Sequence, residues 1–209
     1  MQFKKNNYDF FKESFDKFYA FILLILLLPL ILLTAFLILI KLGKPIIFLQ
    51  DRAGLNGKPF RLFKFRSMTN EYNFDGKLLP PEERLTKFGI FLRSTSLDEI
   101  PSLINVLKGD MSFIGPRPLP LDYVPLYSKE QRLRLCVKPG ISGLAQVKGR
   151  NAISWDQRFS LDIKYVRSKS LVLDCKIFLN TILTVCARKG VTPKNKLIMD
   201  AFTGEKNLN

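Results

Sequence analysis

The sequence predicts an α+β fold, predominantly helical, in which a re-entrant membrane helix hairpin is attached to a compact cytoplasmic domain with a small β element and interfacial amphipathic helices. Three observations carry this. Residues 18 to 40, FYAFILLILLLPLILLTAFLILI, carry no charge and are interrupted by a central proline, Pro29. From Pro45 onward Pro and Gly punctuate a mixed composition with no long apolar run. The segment PFRLFKFRSM, 59 to 68, alternates with strand period, whereas later apolar positions recur at helical spacing. We therefore expect an N-terminal anchor over 1-45 and a second unit over 46-209. A chain of 209 residues holds one sizeable core and is too short for two ordinary domains.

As an unbroken helix the apolar segment would be about 34 Å long, enough to cross a hydrocarbon core of about 30 Å. Pro29 opposes that, because a proline in a regular helix removes a hydrogen bond and costs about 3 kcal/mol. Cations flank both ends, with Lys4, Lys5, Lys12 and Lys17 before and Lys41, Lys44 and Arg52 after, so the positive-inside rule assigns no orientation to a crossing. A helix that bends at Pro29 and returns to the face it entered accommodates both facts, each half reaching about 16 Å deep. A spanning helix is the alternative, since membrane helices can re-satisfy backbone groups freed by proline. The following KLGKP offers no small-x-small cleavage site, which argues against a signal peptide.

With 33 Lys plus Arg against 18 Asp plus Glu, the net charge is +15, so the partner surface is anionic: nucleic acid, nucleotide, phosphorylated metabolite or acidic membrane leaflet. The chain has no histidine. That excludes Ser-His and Cys-His nucleophile pairs and removes the commonest transition-metal ligand, leaving carboxylates, Lys, Arg or a hard metal for any chemistry. Cys136, Cys175 and Cys186 form no Cys-x-x-Cys and sit mostly among apolar neighbours, as expected of reduced core thiols.

In the strand, Phe63 and Phe65 alternate with Lys64 and Arg66. Period two puts both cations on one face about 7 Å apart, a span suited to a diphosphate, although a solvated edge strand with gatekeeping cations has the same pattern. Residues 70 to 80 read as a polar loop, and EERLTKFGIFLR, 82 to 93, as a helix interrupted near Gly89. SWDQRFSLDIKYVR, 154 to 167, starts with a capping-box spacing from Ser154 to Gln157. In LVLDCKIFLNTILTVCARK, 171 to 189, Leu171, Cys175, Phe178, Leu179, Ile182, Val185 and Cys186 share one helical stripe, for which core packing is the default expectation. Lys176, Arg188 and Lys189 also suit a helix lying on an anionic membrane face.

The stretch RSTSLDEIPSLINVLKGDMSFIGPRP, 93 to 118, places two acids side by side in a basic chain. Ser96 as N-cap with Glu99 three residues on fits a capping box, followed by the stripe Leu97, Ile100, Leu103, Ile104, Leu107 and a stop at Gly109. Pro101 conflicts with that register, so a start one or two residues later is equally compatible. Adjacent residues at a helix start point about 100° apart, which suits Asp98 and Glu99 to separate tasks, such as attack and metal holding. Pro116 and Pro118 stiffen the backbone around Arg117, whose guanidinium fork suits phosphate. KPGISGLAQVKGR, 138 to 150, adds Gly140, Gly143 and Gly149 among Lys138, Lys148 and Arg150, a candidate anion-cradling loop.

The motifs KFRSM, SLDEIPSLINVLKGDMSFIGPRP, KPGISGLAQVKGRNAISW and LDIKYV resemble those of the bacterial sugar transferase family, the monotopic phosphoglycosyl transferases, and most nearly its short PglC type. The likeness runs from the apolar segment to about residue 190. It implies transfer of a sugar 1-phosphate from a UDP-sugar to polyprenyl (undecaprenyl) phosphate, giving polyprenyl-diphospho-sugar and UMP. It also implies a covalent route on an Asp-Glu dyad, with Asp98 as nucleophile, Glu99 as Mg²⁺ ligand and Arg117 near phosphate, helped by Lys64 and Arg66. The implied place is the bacterial inner membrane, with the catalytic domain on the cytoplasmic face, and the implied donor an N-acetylated UDP-sugar such as UDP-diNAc-bacillosamine. The family often has Ser-Pro at the hairpin bend where this chain has Leu28-Pro29.

Two other classes compete. A membrane-tethered basic nucleic-acid-binding module would use the Phe, Lys and Arg interleaved at 60 to 66, and gives Asp98 and Glu99 no task. A membrane scaffold would use the acidic pair only to cap a helix.

Overall fold

A computed structural model of the chain describes residues 7–149, 153–186 and 201–204. Lys4, Lys5, Arg150, Arg188 and Lys189 of the expectations above lie outside them. Helix α1 (Asn7–Leu26) and helix α2 (Leu28–Leu42) meet at a bend of 64°. The break falls at Leu27 rather than at Pro29. Pro29 takes the second helical position of α2, where an N–H has no intrahelical partner in any case, so the proline starts a helix instead of breaking one. No single described helix is long and apolar enough to cross a membrane, although the bent pair together is.

The first half of α1 is tied to the rest of the chain by charge. Asp9 pairs with Lys169, Glu13 with Lys138, and Lys12 with Asp174, whose other oxygen accepts from Tyr165 at 2.9 Å. Farther along, Ala20 is buried with Leu62, Val106 and Met111, and Ile38 of α2 with Phe65 and Leu92. Apolar packing therefore crosses residue 45. The opposite faces, including Phe18, Phe21, Ile25, Leu32 and Phe36, are exposed.

Strands β1 (Ile47–Ala53) and β2 (Pro59–Phe65) form an antiparallel pair with Phe48 opposite Lys64. Helix α3 (Pro81–Arg84) and helix α4 (Lys87–Ser94) follow. The interruption lies at Leu85 and Thr86, because Thr86 caps α4 by accepting from Gly89 N–H at 3.0 Å. Gly89 itself is inside α4, where a Cβ would come within 1.8 Å of the Ser67 carbonyl oxygen. Next come helix α5 (Ser102–Lys108), ended by left-handed Gly109, and the parallel pair β3 (Ser112–Ile114) and β4 (Gly140–Ser142).

Helix α6 (Leu144–Gly149) leads to helix α7 (Trp155–Ser168), whose Ser154–Gln157 capping box forms as the spacing predicts. Helix α8 (Leu171–Cys186) departs from the core expectation. Its stripe of Leu171, Phe178, Leu179 and Ile182 faces outward with exposed Cys175, while Ile177 and Asp174 are the buried positions. Periodicity identifies an apolar face but not what covers it.

Candidate active site

Asp98 and Glu99 occupy a single 3₁₀ turn, Leu97–Glu99, ahead of α5. Ser96 adopts φ 58° and its side chain caps nothing, so the capping box does not form. With Pro101 as the residue preceding α5, the proline needs no N–H partner and the two acids are set outside the α-helix proper.

Two polar side chains one turn apart on α5 fix the turn against the sheet. Asn105 is fully buried; its Oδ1 accepts from Phe63 N–H at 3.0 Å and its Nδ2 donates to the Arg61 carbonyl at 2.7 Å. Ser102 Oγ donates to the Phe63 carbonyl at 2.9 Å. Together they satisfy the backbone of β2 and bring Lys64, the next residue, to Glu99.

Glu99 Oε1 accepts from Lys64 Nζ at 2.6 Å and from Arg117 Nη2 at 3.0 Å. Burial pushes the Glu99 carboxyl up, but the two cations outweigh it and hold the group below the usual carboxylate range. Asp98 is also buried, without the paired cations that bond to Glu99. Burial, reinforced by the neighbouring Glu99 charge, pushes Asp98 up despite Lys64, Arg117 and Arg93. The dyad is thus divided into a pinned carboxylate and an unpinned one.

Both acids line a cavity of about 730 Å³. Its polar wall carries Lys64, Arg66, Arg93, Arg117 and Arg158, and its apolar wall includes Phe113, Ile141 and Val147, reaching Leu23 and Leu27 at the α1–α2 bend. The structure thus brings Asp98, Glu99, Lys64 and Arg117 together. Arg66 also lines the cavity, but it lies past the end of β2, and its Nη2 donates to the carbonyls of Leu42 and Gly43 at the end of α2. Arg93, whose Nε donates to Ser67 Oγ at 2.9 Å, is a cavity residue that sequence reasoning missed, as a lone arginine at a helix end has no distinguishing pattern.

Within 138 to 150, Gly140 and Gly143 serve backbone packing, and Arg150 lies outside the described residues. A Cβ at Gly140 would come within 2.1 Å of Gly115 N, and one at Gly143 within 2.2 Å of Gly115 O, so these positions let two backbones touch. Lys138 is engaged by Glu13 at 2.9 Å. Of residues 60 to 66 only Arg61 is exposed, so the aromatic and basic side chains there form no exposed stripe.

The family model for bacterial sugar transferases matches residues 7–188. The chain belongs to the bacterial sugar transferase family. Among bacterial sugar transferases, "Uncharacterized sugar transferase EpsL" of Bacillus subtilis is 48% identical over 94% of this chain and 98% of its own length. "UDP-N-acetylgalactosamine-undecaprenyl-phosphate N-acetylgalactosaminephosphotransferase" of Aeromonas hydrophila is 40% identical over 88% of this chain and 45% of its own. "Undecaprenyl-phosphate galactose phosphotransferase" of Salmonella typhimurium is 37% identical over 89% and 42%. The chain thus spans under half the length of the latter two. These names place the resemblance at the level of the family rather than of its PglC type.

Proposed function

We propose that this chain transfers a sugar 1-phosphate from a UDP-sugar to polyprenyl phosphate, with Asp98 as the nucleophile, releasing UMP and starting assembly of a bacterial glycoconjugate. The observation that carries this is the division of the dyad: Glu99 is held by Lys64 and Arg117, while Asp98, which among the described residues makes no ion pair, faces the same cationic cavity. A carboxylate nucleophile suits a chain without histidine, because aspartate needs no general base to attack.

In the first step an Asp98 oxygen bonds to the donor's β-phosphorus and the anhydride bond to the α-phosphate breaks, so that UMP leaves with the electron pair. In the second, an oxygen of the lipid phosphate attacks the same phosphorus and the Asp98 carboxylate is released. One phosphoanhydride is broken and one made, so no ATP is needed. Repulsion between Asp98 and the diphosphate is the main obstacle. Arg117 and Lys64 would neutralise it, helped by Arg66, which lines the same cavity while its Nη2 holds the end of α2.

Mg²⁺ fits the donor set. Among the described residues no group of three or more His, Cys, Asp or Glu could hold a metal alone, and Mg²⁺ commonly uses one or two carboxylates with water and substrate phosphates. Glu99, ionised and adjacent to Asp98, would hold it. When bound, the ion would supply further charge neutralisation at the diphosphate.

The cavity wall at Leu23 and Leu27 adjoins the helix pair that exposes its apolar faces, which supports a lipid acceptor and attachment to a membrane through the bent pair and the outward face of α8. We place the protein at the inner membrane with the dyad on the cytoplasmic side, where UDP-sugars are made. The test is UMP release with polyprenyl phosphate and Mg²⁺ from UDP-glucose, UDP-galactose, their N-acetylated forms and UDP-diNAc-bacillosamine. Release with at least one donor, suppressed by excess EDTA, is expected; salt-sensitive binding to generic DNA with no UMP from any donor would replace this function with the nucleic-acid module.

A further inference from the structure

Prolines on either side restrict the backbone of Arg117, and two guanidinium groups hold that peptide in place. Arg134 Nη2 donates to the main-chain carbonyl of Arg117 at 2.7 Å, and Arg52 Nη1 donates to the next carbonyl, that of Pro118, at 3.3 Å. Two consecutive carbonyls are gripped by guanidinium groups.

Arg134 lies in the 3₁₀ segment Gln131–Cys136 and is 3% exposed. Its Nε and Nη2 donate to Asp162 Oδ2 of α7 at 3.1 and 2.9 Å, and its Nη1 to the Tyr127 hydroxyl at 3.3 Å. The guanidinium sits 5.7 Å from the ring centroids of both Tyr127 and Phe159. An ion pair this dry gives little net stability over an apolar pair of the same shape, because desolvating both charges offsets their attraction. Its further hydrogen bond, to the carbonyl of Arg117, reaches toward the cavity.

The far end of the chain completes the wall around this pair. Phe202 is buried with its ring 5.0 Å from Phe159, 5.4 Å from Trp155 and 6.0 Å from Tyr127, and its N–H donates to the Tyr123 hydroxyl at 3.1 Å. A segment distant in sequence thus packs on Tyr127 and Phe159, the two rings that flank the Arg134 guanidinium.

We infer that Arg134, oriented by Asp162 and shielded from water by Phe202, is the positioning residue that sets where the Arg117 guanidinium meets the donor's diphosphate. The inference rests on Arg117 as a phosphate-binding group, as proposed above. Arg134 touches neither substrate nor Asp98; it acts through one carbonyl.

The test uses the full chain with UDP as the probe, measuring its dissociation constant by calorimetry, UMP release and Tm. Arg134→Met alone would leave Asp162 buried without its hydrogen-bonded cation and with only the charge of Arg158 nearby, so the pair is replaced together as Arg134→Met with Asp162→Leu, and Phe202→Ala is made separately. The paired replacement is expected to keep a cooperative melt and to weaken UDP binding about ten- to a hundredfold, as a guanidinium displaced by about 1 Å would. In an Arg117→Ala chain the same replacement should change UDP affinity by less than about twofold, since coupled residues are not additive. Phe202→Ala should give a smaller loss in the same direction, and it decides the matter if the paired replacement does not fold.

Unchanged UDP affinity in the folded variants, or an equal loss in the Arg117→Ala chain, overturns the inference. A wild-type chain that binds UDP but yields no UMP defeats the proposed reaction instead, and the affinities still judge Arg134. A wild-type chain that does not bind UDP defeats both.

Discussion

Asp98 and Glu99 are neighbours in one turn, yet their surroundings drive their carboxyl groups in opposite directions. Glu99 is kept ionised by Lys64 and Arg117, whereas burial and the Glu99 charge push Asp98 above the ordinary aspartate range. As the proposed nucleophile Asp98 must be ionised, so single-turnover UMP release should rise with pH through a midpoint above about 4. Glu99→Gln should move that midpoint down, because it removes the like charge and leaves both cations to act on Asp98; a midpoint that stays or rises contradicts the coupling. Stability gives an independent check. A folded-state value raised above the unfolded one makes ionised Asp98 a cost that is absent at low pH and grows as pH rises to the folded value. Asp98→Asn should therefore melt no lower than wild type at pH 7, with its advantage shrinking toward acid. Glu99→Gln should lose about 1–3 kcal/mol at neutral pH by leaving Lys64 and Arg117 beside a neutral amide oxygen in place of their counter-charge.

At the scale of elements, the site depends on α5 lying along β2. Asn105→Leu removes both side-chain partners of the Arg61 carbonyl and the Phe63 N–H, and should cost about 2 kcal/mol or more by chemical denaturation, against within about 0.5 kcal/mol for an exposed substitution. A cost within the range of an exposed site would mean that water replaces Asn105. What sequence made legible follows the range of the interaction. The α7 capping box and the Gly109 stop are local and formed as expected. Ser96 and Glu99 have the same local spacing as Ser154 and Gln157, but Lys64 and Arg117, distant in sequence, claim Glu99, and no box forms. The role of Asn105 has no local signal, because its partners lie on a strand some forty positions earlier. The stripe on α8 was correctly apolar but points outward, since nothing local says what an apolar face will meet.

Across the whole molecule, the bent pair α1–α2 is joined to the catalytic unit rather than appended to it. Ala20 and Ile38 are packed against residues of the β2, α4 and α5 region, and the charged half of α1 is pinned by Lys138, Lys169 and Asp174. A re-entrant pair places both of its ends on one side of the membrane. In an otherwise cysteine-free chain in intact cells, single cysteines at positions 8 and 44 should react alike with a membrane-impermeant reagent; opposite reactivity would identify a crossing. Holding the cavity wall at Leu23 and Leu27 near the lipid surface would then bring the acceptor phosphate to Asp98 without withdrawing its tail from the bilayer.

The proposed chemistry turns on an acyl phosphate at one oxygen atom, and intact-mass measurement reads it directly. Incubated with a competent UDP-sugar, Mg²⁺ and no lipid acceptor, the wild-type chain should gain the mass of one sugar phosphate, lose it when polyprenyl phosphate is added, and gain nothing as Asp98→Asn. A sugar-phosphate adduct on the Asp98→Asn chain, or full UMP release from it, would contradict Asp98 as the nucleophile.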